Sequence, residues 1–387
     1  MITNELDNLY IANTYARFPV TLVSGKGSLV KDDAGKEYVD LGTGIAVNTL
    51  GYLDDGWVAA VTAQLGKLQH TSNLYYSEPC ARLAQTLCNR TGMKKVFFSN
   101  SGAEANECAV KVARKYATDR KGSDHYTVIT LKNSFHGRTL TTLAATGQDV
   151  FHKDFLPLTE GFAYAEPNDI DDMVRLCDEH EPCAVMIEIV QGEGGVNALD
   201  ADYVKALRKL TEERDILLIC DEVQIGNGRS GMLYGYMNYG ITPDIVSTAK
   251  GLGGGLPIGA TMLGERVKDV LQPGSHGSTF GGNPVSCAGA VYVLDRIDDA
   301  LLSGVRARSQ YIFDTLQGAS GIEGVSGLGL MIGVKTMKDA SLVIAACRER
   351  GVLCIKAKDK VRLLPALNIP MEQLAYAINI LKEVCAI

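Results

Sequence analysis

The chain has 387 residues, 46% of them hydrophobic and 21% charged, with a formal net charge of −7 and no block of like charges. That length favours two domains, and the acidic balance argues against nucleic acid or an anionic membrane as the main partner. No apolar run approaches the ~18 residues of a membrane span, and the acid-bearing N-terminus lacks a secretory core. Ten cysteines without CxxC spacing and six scattered histidines predict reduced core thiols and no metal site, in a cytoplasmic protein.

In chain order, residues 27–41 ("GSLVKDDAGKEYVDL") read as a hairpin around a DAGKE turn. From Lys95 onward, short apolar strands alternate with longer helical patterns. The strands are expected at 96–100, 126–131, 184–191, 216–222, 244–249 and 259–264, with helical stretches such as 103–117 and 201–214 between them. This alternation predicts an α/β fold with a mostly parallel, doubly wound sheet, in which ligands gather at the carboxyl ends of strands. After Phe280, helical segments at 290–297, 309–316 and 371–387 enclose short strands near 329–336 and 361–366. The expected division is a large domain over 51–280, a smaller α+β domain over 281–387, and an N-terminal segment, 1–50, that joins the small domain.

The strand ends carry the unusual residues. Asn100-Ser101-Gly102 follow the first strand, and Glu188 and Glu193 lie at or just beyond the end of the third. Asp221 and Glu222 close "ILLICDE", and Lys250 follows the fifth strand. Carboxylates at the end of a buried strand need a positive partner. A nucleotide-bound magnesium ion would require a GxxxxGK[ST] loop, and the chain has none; it has no GxGxxG either. A structural salt bridge and the protonated ring nitrogen of an organic cofactor remain. Lys250 precedes four glycines in five positions. Alone, it reads as a surface lysine before a glycine loop; facing the same crevice as Asp221, it reads as a lysine that forms a Schiff base with an aldehyde cofactor.

Six motifs in one order bear on that choice: "SNSGAEANECAVKVAR" (99–114), "SFHGRTL" (134–140), "VQGEGGV" (190–196), "DEVQIGNGRSG" (221–231), "PDIVSTAKGLGGGLPIGA" (243–260) and "GSHGSTFGGNPVSCAGA" (274–290). Together they resemble the class III pyridoxal-phosphate aminotransferases, from about Thr14 to Leu367. "NTYARFP" and "HTSNLYY" are similar to the branch that takes N2-acetyl-L-ornithine as amino donor and 2-oxoglutarate as acceptor. Two departures stand out: "GYLDD" (Gly51–Asp55) replaces the family's GHxHP, and Ser230 stands where threonine is usual.

The resemblance implies pyridoxal 5'-phosphate as cofactor and the large-domain, small-domain fold of type I PLP-dependent transferases. It implies that Lys250 binds the aldehyde and moves the reacting proton, and that Asp221 keeps the ring nitrogen protonated. Ser101, Gly102 and Ala103 would hold the phosphate; an ordinary capped helix start is also what these residues predict by themselves. Phe135 would stack on the ring, Val223 would pack on its other face, and Gln224 would reach its phenolic oxygen. Thr279 would reach the phosphate bound by a neighbouring subunit, which makes the protein a homodimer with sites at the interface. Tyr15, Arg138, Ser278 and Arg362 would form the substrate pocket, because arginine's planar fork suits carboxylates. Glu193 would pair with Arg362 while the donor reacts and swing away for the oxo acid, and Glu222 would lie behind Asp221. Other expectations consistent with the motifs are an ω-aminotransferase for ornithine, succinylornithine or 4-aminobutyrate, or an aminomutase. A cofactor-free binding protein is disfavoured by the intact Lys250, Asp221, Gln224 and Thr279.

Overall fold

The computed structural model describes residues 3–386. Strands β1 (Leu22–Lys26), β2 (Leu29–Asp32) and β3 (Glu37–Asp40) form an antiparallel N-terminal sheet. The β2–β3 turn is closed by Asp32, whose Oδ1 accepts from Ala34 N and Lys36 N. The large sheet follows in chain order: β4 (Lys95–Ser99), β5 (Val128–Leu131), β6 (Phe162–Ala165) and β7 (Ala184–Ile187). A short antiparallel pair, β8 (Val190–Gln191) and β9 (Asn197–Ala198), interrupts it before β10 (Leu217–Asp221), β11 (Ile245–Thr248) and β12 (Gly259–Leu263). The strand order is β4-β12-β11-β10-β7-β5-β6. Only β12 runs antiparallel to its neighbours.

One expected strand is corrected. Residues 184–191 do not run as a single strand: the ladder with β10 ends at Ile187, and Glu188 leaves the sheet before the chain turns into β8. A carboxyl at that point ends the apolar run that makes a buried strand.

Strands β7, β10 and β11 are buried throughout, as expected of a parallel sheet covered on both faces. The helix Gly102–Lys121 covers one face with Ala105, Cys108, Ala109, Val112 and Ala113. The helix Pro284–Arg296 also packs in this large core, through Cys287, Ala290, Val293 and Leu294. The packing therefore divides beyond the expected 280/281 boundary, because this helix's apolar face is satisfied by the helices Asp55–Leu65 and Glu78–Thr91.

The second core lies under β13 (Ile322–Leu328), β14 (Met331–Thr336), β15 (Val352–Leu353), β16 (Ile355–Ala357) and β17 (Lys360–Leu363). Four of these strands form the sheet β13-β14-β17-β16, while β15 pairs in parallel with β3, Val352 opposite Val39. The N-terminal hairpin is thus continuous with C-terminal structure, and Val39 and Leu41 belong to the second core. All ten cysteines are free thiols. Among the described residues no helix is long and apolar enough to cross a membrane, and no group of three histidines, cysteines or acids could hold a metal ion.

Candidate active site

Parallel pairing aligns the carboxyl ends of β7, β10 and β11. Cys220 lies opposite Ile187 and Asp221 opposite Ser247, so Glu188, Asp221 and the segment leading to Lys250 stand abreast. Asp221 is 4% exposed. Its Oδ2 accepts from Asn106 Nδ2 at 2.8 Å and lies 2.8 Å from His136 Nδ1, and its Oδ1 accepts from Val223 N at 3.0 Å. With Nδ1 assigned as the donor, the imidazole and the amide fix one carboxylate edge. His136 Nε2 and Asn106 Oδ1 are buried with no partner among the described residues. Neither residue was expected from the sequence. Both carried a signal: His136 follows Phe135 inside "SFHGR", and Asn106 is a polar residue on the face that the helix period buries between Ala105 and Ala109.

Lys250 opens a short 3-10 turn with φ at 42°, in the left-handed region that costs a non-glycine residue energy. Its Nζ makes no hydrogen bond or ion pair among the described residues. Burial and the Arg362 guanidinium lower its pKa, against the opposing pull of Glu193, Asp221 and Glu188. A lysine so placed releases its proton more readily than one in water. Thr49 Oγ1 donates to Gly251 O at 2.7 Å and fixes the turn.

The helix at Gly102 begins with a complete cap. Ser101 Oγ accepts from Glu104 N at 3.2 Å, and Glu104 Oε2 accepts from Asn100 N at 2.7 Å. A Cβ on Gly102 would come within 2.6 Å of Val223 Cγ1, so glycine keeps Val223 beside the helix start. Ala103 follows in the first turn, where N–H groups lack helical partners.

Phe135 is half-buried, edge-on to Phe151, with its N–H donated to Glu188 Oε2 at 2.9 Å. Arg138 is exposed and stacks over Phe151 at 4.3 Å; it has no carboxylate partner among the described residues. Arg362 is 3% exposed. Its Nη1 donates to Glu193 Oε1 at 2.6 Å and to Gln224 Oε1 at 3.1 Å, while its Nε is buried and unpartnered. Burial raises the Glu193 pKa, but the Arg362 guanidinium outweighs it and the net shift is downward. Glu222 turns away from this group and accepts from Gly235 N and Tyr236 N.

Three expected residues stand apart. Ser278 Oγ accepts from Gly281 N at 2.9 Å and from Asn100 Nδ2 at 3.2 Å, so it braces a turn against the helix start. Thr279 is exposed. Tyr15 is also exposed, lies under the Arg17 guanidinium, and borders a cavity of about 490 Å³ shared with Asp40, Ile45, Tyr52 and Ile355. The "GYLDD" segment has its own partners: Tyr52 Oη donates to Asp40 Oδ2 at 2.8 Å, Asp54 caps the helix Asp55–Leu65, and Asp55 pairs with Lys26. Ser230 Oγ accepts from Asn238 Nδ2 at 3.0 Å.

Against this geometry the family comparison is decisive. The class-III aminotransferase model matches residues 10–385. The chain belongs to the class III aminotransferases. An acetylornithine aminotransferase from Haemophilus ducreyi is 49% identical, the match covering 98% of this chain and 97% of the relative. A succinylornithine transaminase from Salmonella enteritidis is 42% identical, covering 98% and 95%. The crystal structure of ornithine aminotransferase from Toxoplasma gondii is 31% identical, with a TM-score of 0.95 over 99% of this chain and 94% of that one. As a class III aminotransferase the protein is PLP-dependent, and its residues fit that cofactor. A buried carboxylate is braced by Asn106 and His136, a partly buried lysine has a lowered pKa, and a capped helix start is kept open by Gly102.

Proposed function

We propose that this enzyme transfers the δ-amino group of N2-acetyl-L-ornithine to 2-oxoglutarate, giving N-acetyl-L-glutamate 5-semialdehyde and L-glutamate, as a cytoplasmic homodimer of arginine biosynthesis. The observation that carries the reading is the Glu193–Arg362 pair, 2.6 Å apart with the guanidinium buried. A donor that reacts at its far end brings no carboxylate to the reacting carbon, whereas 2-oxoglutarate does. Glu193 stands in for that carboxylate, so Arg362 is never buried alone. The acceptor's carboxylate would take the Nη1 donor that Glu193 gives up. Arg138, exposed and without an acid partner among the described residues, would hold the distal carboxylate of either substrate.

Pyridoxal phosphate, when bound, supplies an aldehyde that condenses with amines and a ring that takes up the electron pair released at the carbon bearing nitrogen. The chain's own groups do the rest. Asp221 holds a proton on the ring nitrogen, and His136 and Asn106 hold Asp221 in place. The N–H groups at Gly102 and Ala103, with the Ser101 hydroxyl, bind phosphate. Phe135 and Val223 would pack against the cofactor ring, and Gln224 would hydrogen-bond its phenolic oxygen. Lys250 Nζ takes the proton from the substrate carbon and hands it on. Ser278 acts by bracing Asn100, and Tyr15 would complete the substrate pocket from the cavity it borders. Leu74, Tyr75 and Tyr76 are largely exposed, and Phe280, beside Thr279, is 60% exposed. A surface this apolar supports burial against a second copy, with Thr279 reaching the partner's phosphate.

The test is single-turnover kinetics of each half-reaction with acetylornithine, succinylornithine, ornithine and 4-aminobutyrate as donors. Glu193→Ala should slow the acetylornithine half about tenfold or more while improving use of glutamate. Equal losses in both halves would remove the switch, and preference for another donor would replace the substrate.

A further inference from the structure

Glu188 is a buried acid to which the reading above assigns no part. It is 5% exposed at the end of β7, and the register places it beside Asp221 on the adjacent strand. The ladder ends one residue earlier, at Ile187 opposite Cys220, and across that edge the Asp221 charge acts on Glu188 with both groups out of water. Two such groups cannot both ionise cheaply, and the one with fewer donors keeps the proton. Asp221 gathers three donors: Asn106 Nδ2, His136 and Val223 N. Glu188 receives Phe135 N at 2.9 Å, and the Gly192 N–H is also directed at it.

We propose that Glu188 is a protonated positioning residue: its neutral carboxyl ties the Phe135–His136 loop to the Gly192–Glu193 turn and sets no second negative charge beside Asp221. The charged groups acting on it are Asp221 on β10 and Lys250 beyond β11; His136 follows Phe135 in the loop it holds, and Glu193, paired with Arg362, follows Gly192 in the turn. Burial first, and then Asp221, push the Glu188 pKa well above the usual carboxylate range, against the pull of Lys250 and the two N–H groups. The arrangement has a consequence for the site. An ionised Glu188 would compete with Asp221 for the ring nitrogen's charge and would hold Lys250 protonated. A neutral one still accepts from Phe135 N and so fixes the loop that carries both the ring-stacking phenyl and the imidazole on Asp221.

The inference rests on the proposed reading for Asp221 alone and does not depend on the donor. It is tested on the holoenzyme by infrared difference spectroscopy at neutral pH. Wild type minus Glu188→Gln should show the C=O stretch of a buried carboxylic acid, shifted in D2O; wild type minus Asp221→Asn should show carboxylate bands only. Carboxylate bands in the Glu188→Gln difference would overturn the proposal. Cofactor affinity gives a second measurement. Glu188→Ala should weaken pyridoxal phosphate binding about tenfold or more, the loss expected when main-chain donors in a buried loop are left unpaired. Glu188→Gln, which keeps an acceptor oxygen, should restore binding to within about threefold of wild type. Equal weakening by both would overturn the positioning role. A wrong donor assignment would change neither result.

Discussion

At the carboxyl edge of the large sheet, Asp221 takes three donors and Arg362 three acceptors, all from this chain. At the rim, Thr279, Tyr15, Arg138 and the Leu74–Tyr76 run are exposed and meet few polar partners of their own. The edge's two buried charges, Asp221 and Arg362, are met by groups of the same chain, because a buried charge must be satisfied wherever the fold puts it. The rim residues carry exposed side chains that the proposed reading gives to substrate and to a second copy. The two regions should therefore fail differently when altered: the edge in chemistry, the rim in binding and assembly.

The sharpest break is at the edge. Lys250→Ala is expected to lower turnover on the order of 10³-fold or more, since a positioned general base alone is worth up to about 10⁴. The protein should still fold, because replacing a lysine with no partner orphans nothing. Borohydride reduction and peptide mapping of wild type should place the cofactor adduct on Lys250; an adduct on another lysine would sink the assignment. Next comes Asp221→Asn. The amide still hydrogen-bonds but cannot hold the ring protonated, so turnover should fall about 10²-fold or more while cofactor binding is better preserved. Near-normal turnover would make Asp221 merely structural.

The rim responds through assembly. Thr279→Ala should weaken cofactor binding about tenfold, the loss of one hydrogen bond to a charged phosphate. If Thr279 acts across the interface, mixing the Thr279→Ala and Lys250→Ala proteins under exchange should regain activity at limiting cofactor, where each protein alone is poorly loaded or inactive. A mixed dimer then has one site with Lys250 from one subunit and Thr279 from the other. Absence of regained activity, with exchange shown by mass, would place Thr279 in its own subunit's site.

The same division explains what could be read in advance. Lys250 and Asp221 were legible because alternating strands and helices bring consecutive strand ends together. Glu193 and Arg362 were legible only through motif resemblance: they come from different parts of the chain, and no local period joins β17 to the turn after β8. His136 and Asn106 were missed although both touch Asp221, because a polar residue inside a buried face looks like an exception until its partner is known. The 184–191 strand was read too long, since Ile189 and Val190 continue the apolar pattern past the Glu188 break. Ser278 shows the opposite limit: its hydroxyl is used by Gly281 and Asn100, contacts set by a turn whose geometry the sequence does not announce.

The smallest expected effect on turnover tests whether the edge's order extends behind Asp221. Glu222 is fully buried, with its oxygens 2.7 and 2.8 Å from Gly235 N and Tyr236 N. Burial outweighs those donors and pushes its pKa up to about 7 from the ordinary 4.5, with Asp221 adding to the shift. A raised acid pKa means that the folded state keeps a proton the unfolded chain has released. The associated stability is fully present below pH 4.5 and is lost as pH rises through about 7. A shift of that size corresponds to at most roughly 3 kcal/mol. Thermal melts between about pH 4.5 and 8 should therefore show wild type losing stability relative to Glu222→Gln, whose neutral amide resembles the protonated acid at every pH. Turnover at neutral pH should change little, because Glu222 faces the Gly235–Tyr239 turn and not the crevice. Parallel melting curves for the two proteins would show that Glu222 is ionised throughout, held by its two N–H donors more strongly than burial opposes it.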